Sequence, residues 1–130
     1  MVDDFLPWHS FVKDILEAET DLKILSFTSD GLQAIQMAEE LQPDVILMDV
    51  NLPTMNGLKA TQQSRIVSPG SKILFLSADD AVDHIRAAFD AGASGYVLKS
   101  DSYTDLVPAI RVVLLGQKFV SRSLRDLRED

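Results

Sequence analysis

Short apolar runs alternate with longer amphipathic stretches along this sequence, and the alternation predicts its secondary structure. Runs of four to six residues rich in Val, Ile and Leu predict β-strands. Because these runs are apolar on both faces, they are typical of a buried parallel sheet rather than a half-exposed one. The predicted strands are Lys23–Thr28, Asp44–Asp49, Lys72–Ser77 and Gly95–Lys99.

The stretches between the apolar runs have the spacing of amphipathic helices. They predict helices at Leu6–Ala18, Gly31–Leu41, Gly57–Ile66, Asp80–Ala91 and from Ser102 to about Leu115. Asp30 can cap the second helix, and Ser102 can cap the last one with Asp105 as its partner. Pro108 lies inside the last helix and removes a backbone hydrogen bond, so we expect a local kink or a late start there.

Alternating strands and helices predict the fold class. It is an α/β domain, a doubly wound parallel sheet with right-handed crossovers and helices on both faces. By the same alternation, one further strand should precede the first helix. Only Met1–Asp3 is available for it. We therefore expect a first strand that is unusually short.

The composition narrows the classes of function. The 130 residues suffice for one domain with a core, and 46% of them are hydrophobic. The absence of cysteine excludes disulfides and thiolate metal sites and fits a reducing compartment. The formal net charge of −8 argues against nucleic acid binding by the chain itself and favours cations or a basic partner. No apolar run is long enough to span a membrane, so we expect a cytoplasmic protein without a membrane partner.

Charged and hydroxyl side chains stand where the predicted strands end. Asp3 and Asp4 follow the short first strand, and Asp49 ends the strand that contains the run VILM. Ser77 ends the run KILFL, and Lys99 follows GYVL. Ligands of open α/β sheets bind outside the carboxyl ends of the strands. We therefore expect these five side chains to form one site.

The residue types at these positions indicate phosphoryl chemistry. Three carboxylates repel one another unless a cation lies between them, and Mg²⁺ suits such a site because it binds few carboxylates and completes its shell with phosphate oxygens. Asp49 could then act as a nucleophile that forms an aspartyl phosphate. Lys99 would neutralise charge on the phosphoryl group, and Ser77 would donate a hydrogen bond to it. The sequence has no glycine-rich phosphate loop, which favours a transient phosphoryl group over a bound nucleotide.

Motifs at the same positions resemble those of a known family. The chain has the acidic pair Asp3–Asp4, then DVNLPTMNG from Asp49 to Gly57, Ser77–Ala78, and AGASGYVLK from Ala91 to Lys99. In this order and spacing, the motifs resemble the receiver domain of response regulators in two-component signalling. The ending GYVLKSDSYTDLVPAIRVVLLGQKFVS is most similar to the subfamily in which a helix-turn-helix DNA-binding domain follows the receiver.

The resemblance implies a fold and a set of partners. It implies a flavodoxin-like, five-stranded parallel sheet with the strand order 2-1-3-4-5. It implies that residues 1–120 form the receiver domain and that residues 121–130 are a C-terminal tail or the start of a linker, with no effector domain in this chain. It also implies a signalling phosphoacceptor rather than an enzyme, with Mg²⁺ as cofactor. The expected partners are a sensor histidine kinase or a phosphotransfer protein and, on activation, a second copy of the chain.

The resemblance implies the acceptor and the metal ligands. Asp49 is the expected phosphoacceptor, and Lys99 is expected to pair with the carboxylate or with the phosphoryl group. The expected Mg²⁺ ligands are Asp4, Asp49 and the backbone carbonyl of Asn51, with Asp3 acting through water.

The resemblance also implies switch and rate-tuning residues. Ser77 would move toward the phosphoryl group, and Tyr96 would turn inward. The output face would then be formed by the fourth helix, the fifth strand and the fifth helix. The side chains of Asn51 and Asp79 occupy positions that tune the rate of dephosphorylation in the family.

Two other functions stay open on the sequence alone. The short first strand favours a degenerate receiver that acts as a phosphorylation-independent interaction or dimerisation module. An Asp-nucleophile phosphatase is the other, although such enzymes need an acid two residues after the nucleophile, where Asn51 stands. Lys99 is followed by Ser100, where much of the receiver family has Pro. His9 and His84 are interpreted as surface or packing residues.

Overall fold

A computed structural model of the chain describes residues 1–3, 5–50, 52 and 55–128. Its helices are α1 (Leu6–Glu17), α2 (Gly31–Leu41), α3 (Gly57–Val67), α4 (Val82–Asp90), α5 (Ser102–Leu114) and α6 (Arg122–Arg128). The predicted helices are confirmed as α1 to α5. A 3-10 turn, Lys99–Asp101, leads into α5. None of the helices within these residues has the length and apolarity needed to cross a bilayer.

Parallel strands form the sheet, in the order β1-β2-β3-β4 among the described residues. They are β1 (Val45–Met48), β2 (Lys72–Ser77), β3 (Gly95–Leu98) and β4 (Phe119–Val120). The register of the first three strands places Met48 beside Phe75 and Phe75 beside Tyr96. The parallel α/β architecture predicted from the alternation is confirmed, and β1 to β3 lie within three of the predicted strands.

A single residue, Val2, stands in place of the expected first strand. It forms parallel bridges with Thr28 on one side and with Met48 on the other. The predicted strand Lys23–Thr28 is wrong before Thr28, because Met1–Asp3 is too short to supply hydrogen-bond partners along the whole segment. The described sheet therefore has four strands, and the five-stranded order 2-1-3-4-5 stays a prediction.

A cavity of about 410 Å³ lies where this short ladder ends. Met1, residues 21–28 and Val45–Leu47 contribute to its lining. The Met1 ammonium donates a hydrogen bond to the Ser26 carbonyl at 2.9 Å, and the Thr28 amide donates to the Met1 carbonyl at 2.9 Å. Burial lowers the pKa of the Met1 ammonium to about 6. The centre of the sheet is thus underfilled at the amino end of β1.

Apolar layers cover both faces of the sheet. One layer contains Met48, Phe75 and Tyr96 together with small residues of α2, α3 and α4. The other contains Leu47 and Leu74 together with residues of α1 and α5. Successive strand residues alternate between the layers, which is the period of a strand. The prediction of helices on both faces is confirmed, and each large buried side chain contributes about 1.5 to 3 kcal/mol to folding.

Two elements after α5 have no counterpart in the sequence prediction. β4 pairs with β3, with Phe119 opposite Gly95. α6 follows directly and buries Leu124 in the core. Arg122 donates hydrogen bonds to the Asp105 carboxylate from its backbone amide at 2.8 Å and from Nε at 3.1 Å. The chain therefore stays packed against the domain through Leu124.

Helix caps follow the prediction at α2 and depart from it at α5. The Asp30 carboxylate accepts a hydrogen bond from the backbone amide two residues on, at 2.9 Å, so this cap is confirmed. The predicted cap of Ser102 with Asp105 is wrong. Ser102 Oγ donates to the Lys99 carbonyl at 2.7 Å. The Asp105 carboxylate instead accepts from the Arg122 amide at the amino end of α6. α5 begins at Ser102 and contains Pro108, so it does not start late.

Candidate functional site

Asp49 directly follows β1 and is held by backbone contacts on both sides. Its amide donates to the Val2 carbonyl at 3.0 Å, and the residue is only 7% exposed. The amide of Gly57, the first residue of α3, donates to the Val50 carbonyl at 2.7 Å. A Cβ atom at Gly57 would overlap the backbone carbonyl of Asp49. The buried strand and this close approach fix the Asp49 carboxylate at the carboxyl edge of the sheet.

Lys99 reaches this carboxylate from the end of β3. Its Nζ atom lies 2.7 Å from Asp3 Oδ2 and 3.6 Å from Asp49 Oδ2. The Lys99 side chain is only 12% exposed. The same ammonium lies 5.1 Å from the ring centre of Trp8, within cation–π range. The structure therefore brings together three of the predicted site residues, Asp3, Asp49 and Lys99.

Asp3 is the most deeply buried acid of this group, at 1% exposure. Its Oδ1 atom accepts a hydrogen bond from the Phe5 amide at 2.8 Å. The Nε2 atom of His9 lies 2.8 Å from the Asp3 carbonyl, and the His9 ring stacks on the Phe27 ring. The sequence predicts that Trp8 lies near the site, directly after the acidic pair, whereas the contact of His9 was missed. Their signal is their place in the first turns of α1, directly after the acidic pair.

Ser77 and Tyr96, on the next two strands, both reach the loop after β2. Ser77 ends β2 and is 1% exposed, and Tyr96 lies on β3 and is fully buried. Both contact the backbone of Asp79: Ser77 Oγ accepts from its amide at 3.1 Å, and the Tyr96 hydroxyl donates to its carbonyl at 2.7 Å. Burial raises the pKa of Tyr96 to about 12, although a hydrogen bond with Ser77 opposes the shift. The phenol therefore stays a proton donor.

The Asp79 side chain is directed to the amino end of α4. Its Oδ1 atom accepts from the Ala81 amide at 3.0 Å, and its Oδ2 atom lies 2.5 Å from His84 Nδ1. The Ala81 hydrogen bond, with a smaller effect of His84, holds the pKa of Asp79 below its usual value, against the opposing effect of burial. His84 lies at the surface, as the sequence predicts, and its ring nitrogen also pairs with the Asp79 carboxylate.

The described residues fit a hard cation in their chemistry. Asp3 and Asp49 offer only oxygen ligands, and two carboxylates share one ammonium. Asp3 Oδ2 is buried and lies within ion-pair distance of Lys99, yet it accepts no well-oriented hydrogen bond. No group of three His, Cys, Asp or Glu side chains suited to a metal occurs in the part of the chain that the structure describes. Two of the predicted ligands, Asp4 and Asn51, lie outside the described residues.

A family model and curated relatives match most of this chain. The family model described as "Response regulator receiver domain" matches residues 1–111. The transcriptional regulatory protein DegU of Brevibacillus brevis is 35% identical over 120 residues, which are 92% of this chain and 51% of DegU. The nitrate/nitrite response regulator protein NarL of Escherichia coli is 32% identical over 124 residues, which are 95% of this chain and 57% of NarL. The chain thus spans between half and three fifths of the length of these relatives.

Solved structures are similar over nearly the whole chain. A two-component response regulator of the LuxR family from an Aurantimonas species superposes with a TM-score of 0.91 at 30% identity, covering 96% of this chain and 89% of that one. The response regulator domain of Thermotoga maritima CheB superposes with a TM-score of 0.80 at 27% identity, covering 88% of this chain and 92% of that domain.

Proposed function

The chain belongs to the response regulator receiver family, and on this basis we propose that Asp49 accepts a phosphoryl group from a sensor histidine kinase or a phosphotransfer protein. The observation that carries the proposal is the placement of Lys99, whose ammonium lies 2.7 Å from Asp3 and 3.6 Å from Asp49. A carboxylate nucleophile beside a buried cation suits phosphoryl transfer, because the cation offsets charge on the transferred group. The family is one of signalling proteins rather than metabolic enzymes.

The proposed step forms one bond and breaks another. An oxygen of the Asp49 carboxylate attacks phosphorus, the P–O bond forms, and the P–N bond to the donor imidazole breaks. Lys99 offsets the negative charge of the phosphoryl oxygens, and the Ser77 hydroxyl donates a hydrogen bond to one of them. Mg²⁺ would supply further charge neutralisation when bound. Its proposed ligands are Asp49, Asp4 and the Asn51 carbonyl, with Asp3 acting through water.

The proposed signal leaves the site through Ser77 and Tyr96. Phosphorylation would shift an existing two-state equilibrium of the face formed by α4, β3 and α5. The burial of both side chains and their shared contact with Asp79 support this assignment. Asn51 and Asp79 are proposed to tune the rate of dephosphorylation. A second copy of the chain is the proposed partner on activation.

Mapping the modified residue tests the proposal. The chain is incubated with acetyl phosphate and Mg²⁺, digested and mapped by mass spectrometry. We expect one acid-labile phosphoryl group on Asp49, none on the isosteric Asp49→Asn variant, and slower formation in Lys99→Met. A folded chain that acquires no phosphoryl group at Asp49 would contradict the proposal.

One observation favours the degenerate receiver as a second candidate. The expected first strand contributes only the two bridges of Val2, and the predicted ligand Asp4 follows it directly. The Trp8 ring lies 5.1 Å from Lys99 Nζ, so Trp8 fluorescence should report on cations at this site. Quenching by Mg²⁺ in the millimolar range would favour the phosphoacceptor. A signal that Mg²⁺ leaves unchanged would favour the interaction module.

The function of any larger protein follows only as a proposal. DegU is a transcriptional regulatory protein and NarL a nitrate/nitrite response regulator, and this chain spans about half of DegU and somewhat more of NarL. We propose that DNA binding, where it occurs, belongs to a separate effector domain, because the net charge of −8 disfavours contact with nucleic acid by this chain. A cytoplasmic location is proposed because the phosphodonors of this family act there.

A further inference from the structure

The two proposed switch residues share one anchor, the backbone of Asp79. Its amide donates to Ser77 Oγ at 3.1 Å, and its carbonyl accepts from the Tyr96 hydroxyl at 2.7 Å. Ser77 ends β2 and Tyr96 is the second residue of β3, so the anchor links side chains of two neighbouring strands. A displacement of the Asp79 backbone would therefore move both side chains or break both hydrogen bonds.

The Asp79 side chain determines where that backbone lies. Its carboxylate accepts from the Ala81 amide at 3.0 Å and pairs with His84 Nδ1 at 2.5 Å. Ala81 occupies the N-cap position of α4 but has no capping side chain, so Asp79 satisfies a backbone amide at this helix terminus. The pair with His84 ties the loop after β2 to the first turn of α4.

Among the described residues, His84 is the side chain that pairs with the Asp79 carboxylate. The other charged side chains nearby, Asp80 in the loop and Asp83 in the first turn of α4, are acidic and exposed. They cannot replace an imidazole as partner of a carboxylate. The Asp79 side chain is 20% exposed and that of His84 is 61% exposed, so the pair is partly screened by water.

We propose that His84 is a positioning residue for phosphoryl acceptance at Asp49. It fixes Asp79, whose backbone holds the Ser77 hydroxyl at the end of β2 and keeps the Tyr96 phenol inside the domain. The inference rests on the proposed function and adds to it a residue outside the acceptor site. Donors held in place before the reaction stabilise developing charge without reorganisation. Loss of the pair is therefore expected to slow phosphorylation and to loosen Tyr96.

The test compares His84→Leu, which removes the pairing nitrogen, with His84→Gln, which retains a hydrogen-bond donor. Arg86→Leu, an exposed change on the same helix, is the matched control. The first measurement is the rate of Asp49 phosphorylation by acetyl phosphate with Mg²⁺. The second is the ¹⁹F spectrum of protein labelled with fluorotyrosine. The chain has two tyrosines, and Tyr103, which is 81% exposed, provides an internal reference for Tyr96.

We expect phosphorylation of His84→Leu to be slower by about two- to fivefold, the effect on an equilibrium of one partly exposed contact between polar side chains. The Tyr96 resonance should move toward that of Tyr103 or broaden, while the Tyr103 resonance stays in place. The phosphorylation rate and the Tyr96 resonance of His84→Gln should be closer to those of the unaltered chain. Arg86→Leu should equal the unaltered chain in both measurements.

An unchanged Tyr96 resonance or an unchanged rate in His84→Leu would overturn the inference. A similar loss in Arg86→Leu would also overturn it, because the effect would then belong to α4 in general. Absence of phosphorylation in the unaltered chain would instead contradict the proposed function. The ¹⁹F spectrum needs no phosphoryl group, so it would still decide whether His84 positions Tyr96.

Discussion

Gly57 and Asp49 show how closely the acceptor depends on a single residue. A Cβ atom at Gly57 would overlap the Asp49 carbonyl, and the atoms that would have to move are backbone atoms of Asp49 and Val50. We therefore expect Gly57→Ala to lower the free energy of unfolding by about 1 to 3 kcal/mol, the usual cost of overpacking. Because the displaced group carries the acceptor, phosphorylation of Asp49 should slow as well. Urea denaturation and acetyl phosphate kinetics measure the two effects.

Gly70→Ala is the matched control for this prediction. A Cβ atom at Gly70 meets no other atom within 4 Å, and Gly70 lies in an exposed turn. Its stability and its rate of phosphorylation should equal those of the unaltered chain. If Gly57→Ala were as stable and as reactive as Gly70→Ala, the close approach of α3 would not position Asp49.

Residues that end apolar runs could be found from the sequence, whereas residues that act across a loop could not. Asp49 and Lys99 follow strands whose apolar character is plain, and the carboxyl ends of parallel strands meet at one edge. The pairing of Asp79 with His84 depends on how the loop turns into α4, and no periodic pattern encodes it. Trp8 could be placed near the site because it follows the acidic pair, but its contact with Lys99 depends on how α1 packs beside the sheet edge.

At the scale of elements, two carboxylates hold α6 to the domain: Asp101, in the turn before α5, and Asp105, in α5. The Asp101 carboxylate accepts from Ser123 Oγ at 2.8 Å and from the Ser123 amide at 3.1 Å. Asp101 lies in the 3-10 turn that begins with Lys99. Removal of this carboxylate leaves the Ser123 amide and hydroxyl without their acceptor, while Asp105 still accepts from the Arg122 amide. We expect Asp101→Ala to cost about 1 to 2 kcal/mol of stability and to speed cleavage by trypsin after Arg122 and Arg125.

The pH dependence of this effect has a definite sign. Burial alone would raise the pKa of Asp101, but the hydrogen bonds from Ser123 and the charge of Arg122 hold it below the usual value. The stabilisation is therefore complete above the pKa of an unfolded aspartate and is lost as the pH falls through the lower folded value. The difference in unfolding free energy between the parent and Asp101→Ala should stay constant at neutral pH and shrink below about pH 4.

Asp14→Ala, on the exposed face of α1, is the control for this change. It should leave both the stability and the trypsin sensitivity of α6 unchanged. Asp101→Ala with a parental rate of cleavage in α6 would show that other contacts, such as the buried Leu124, hold the helix by themselves.

Elements could be predicted where a run was long enough to show a period. α1 to α5 and β1 to β3 all have such runs. β4 has only Phe119 and Val120, and it exists because β3 offers an unpaired edge. The segment Lys23–Thr28 shows the converse, since a sequence suited to a strand does not form one without a neighbouring strand of similar length.

At the scale of the whole molecule, no strand residues fill the space between residues 45–47 and residues 21–28 in the described part of the sheet. The ladder of Val2 runs between these segments and ends at Met1, whose ammonium is buried beside the Ser26 carbonyl. The cavity of about 410 Å³ beside it has mainly apolar walls. The domain therefore bears two costs at one place, an unfilled cavity and a buried positive charge, and the two can be separated by experiment.

The buried charge makes stability depend on pH with a known sign. The pKa of the Met1 ammonium is about 6 in the folded chain, against an ordinary value of 8.0. Between these values the unfolded chain binds more protons, so the free energy of unfolding should rise with pH, by at most about 2 to 3 kcal/mol. An added Gly-Ser-Gly-Ser segment before Met1 replaces the ammonium with an amide that can still donate to Ser26. It should abolish the rise without filling the cavity.

An apolar extension of the same length, Val-Ile-Leu-Val, should abolish the pH-dependent rise in stability and also fill the cavity. In a parallel ladder the Val2 pairing pattern continues toward Val45, so the added residues can pair with β1 and bury their side chains in the cavity. Burial of the added side chains outweighs the cost of ordering them, so the free energy of unfolding should exceed that of the Gly-Ser variant by about 1 to 3 kcal/mol. Urea denaturation between about pH 6 and 8 separates the two contributions, and amide exchange of residues 22–28 and 45–47 should slow only with the apolar extension. Equal stability of the two extended chains would mean that the added apolar residues do not pair with β1 or fill the cavity.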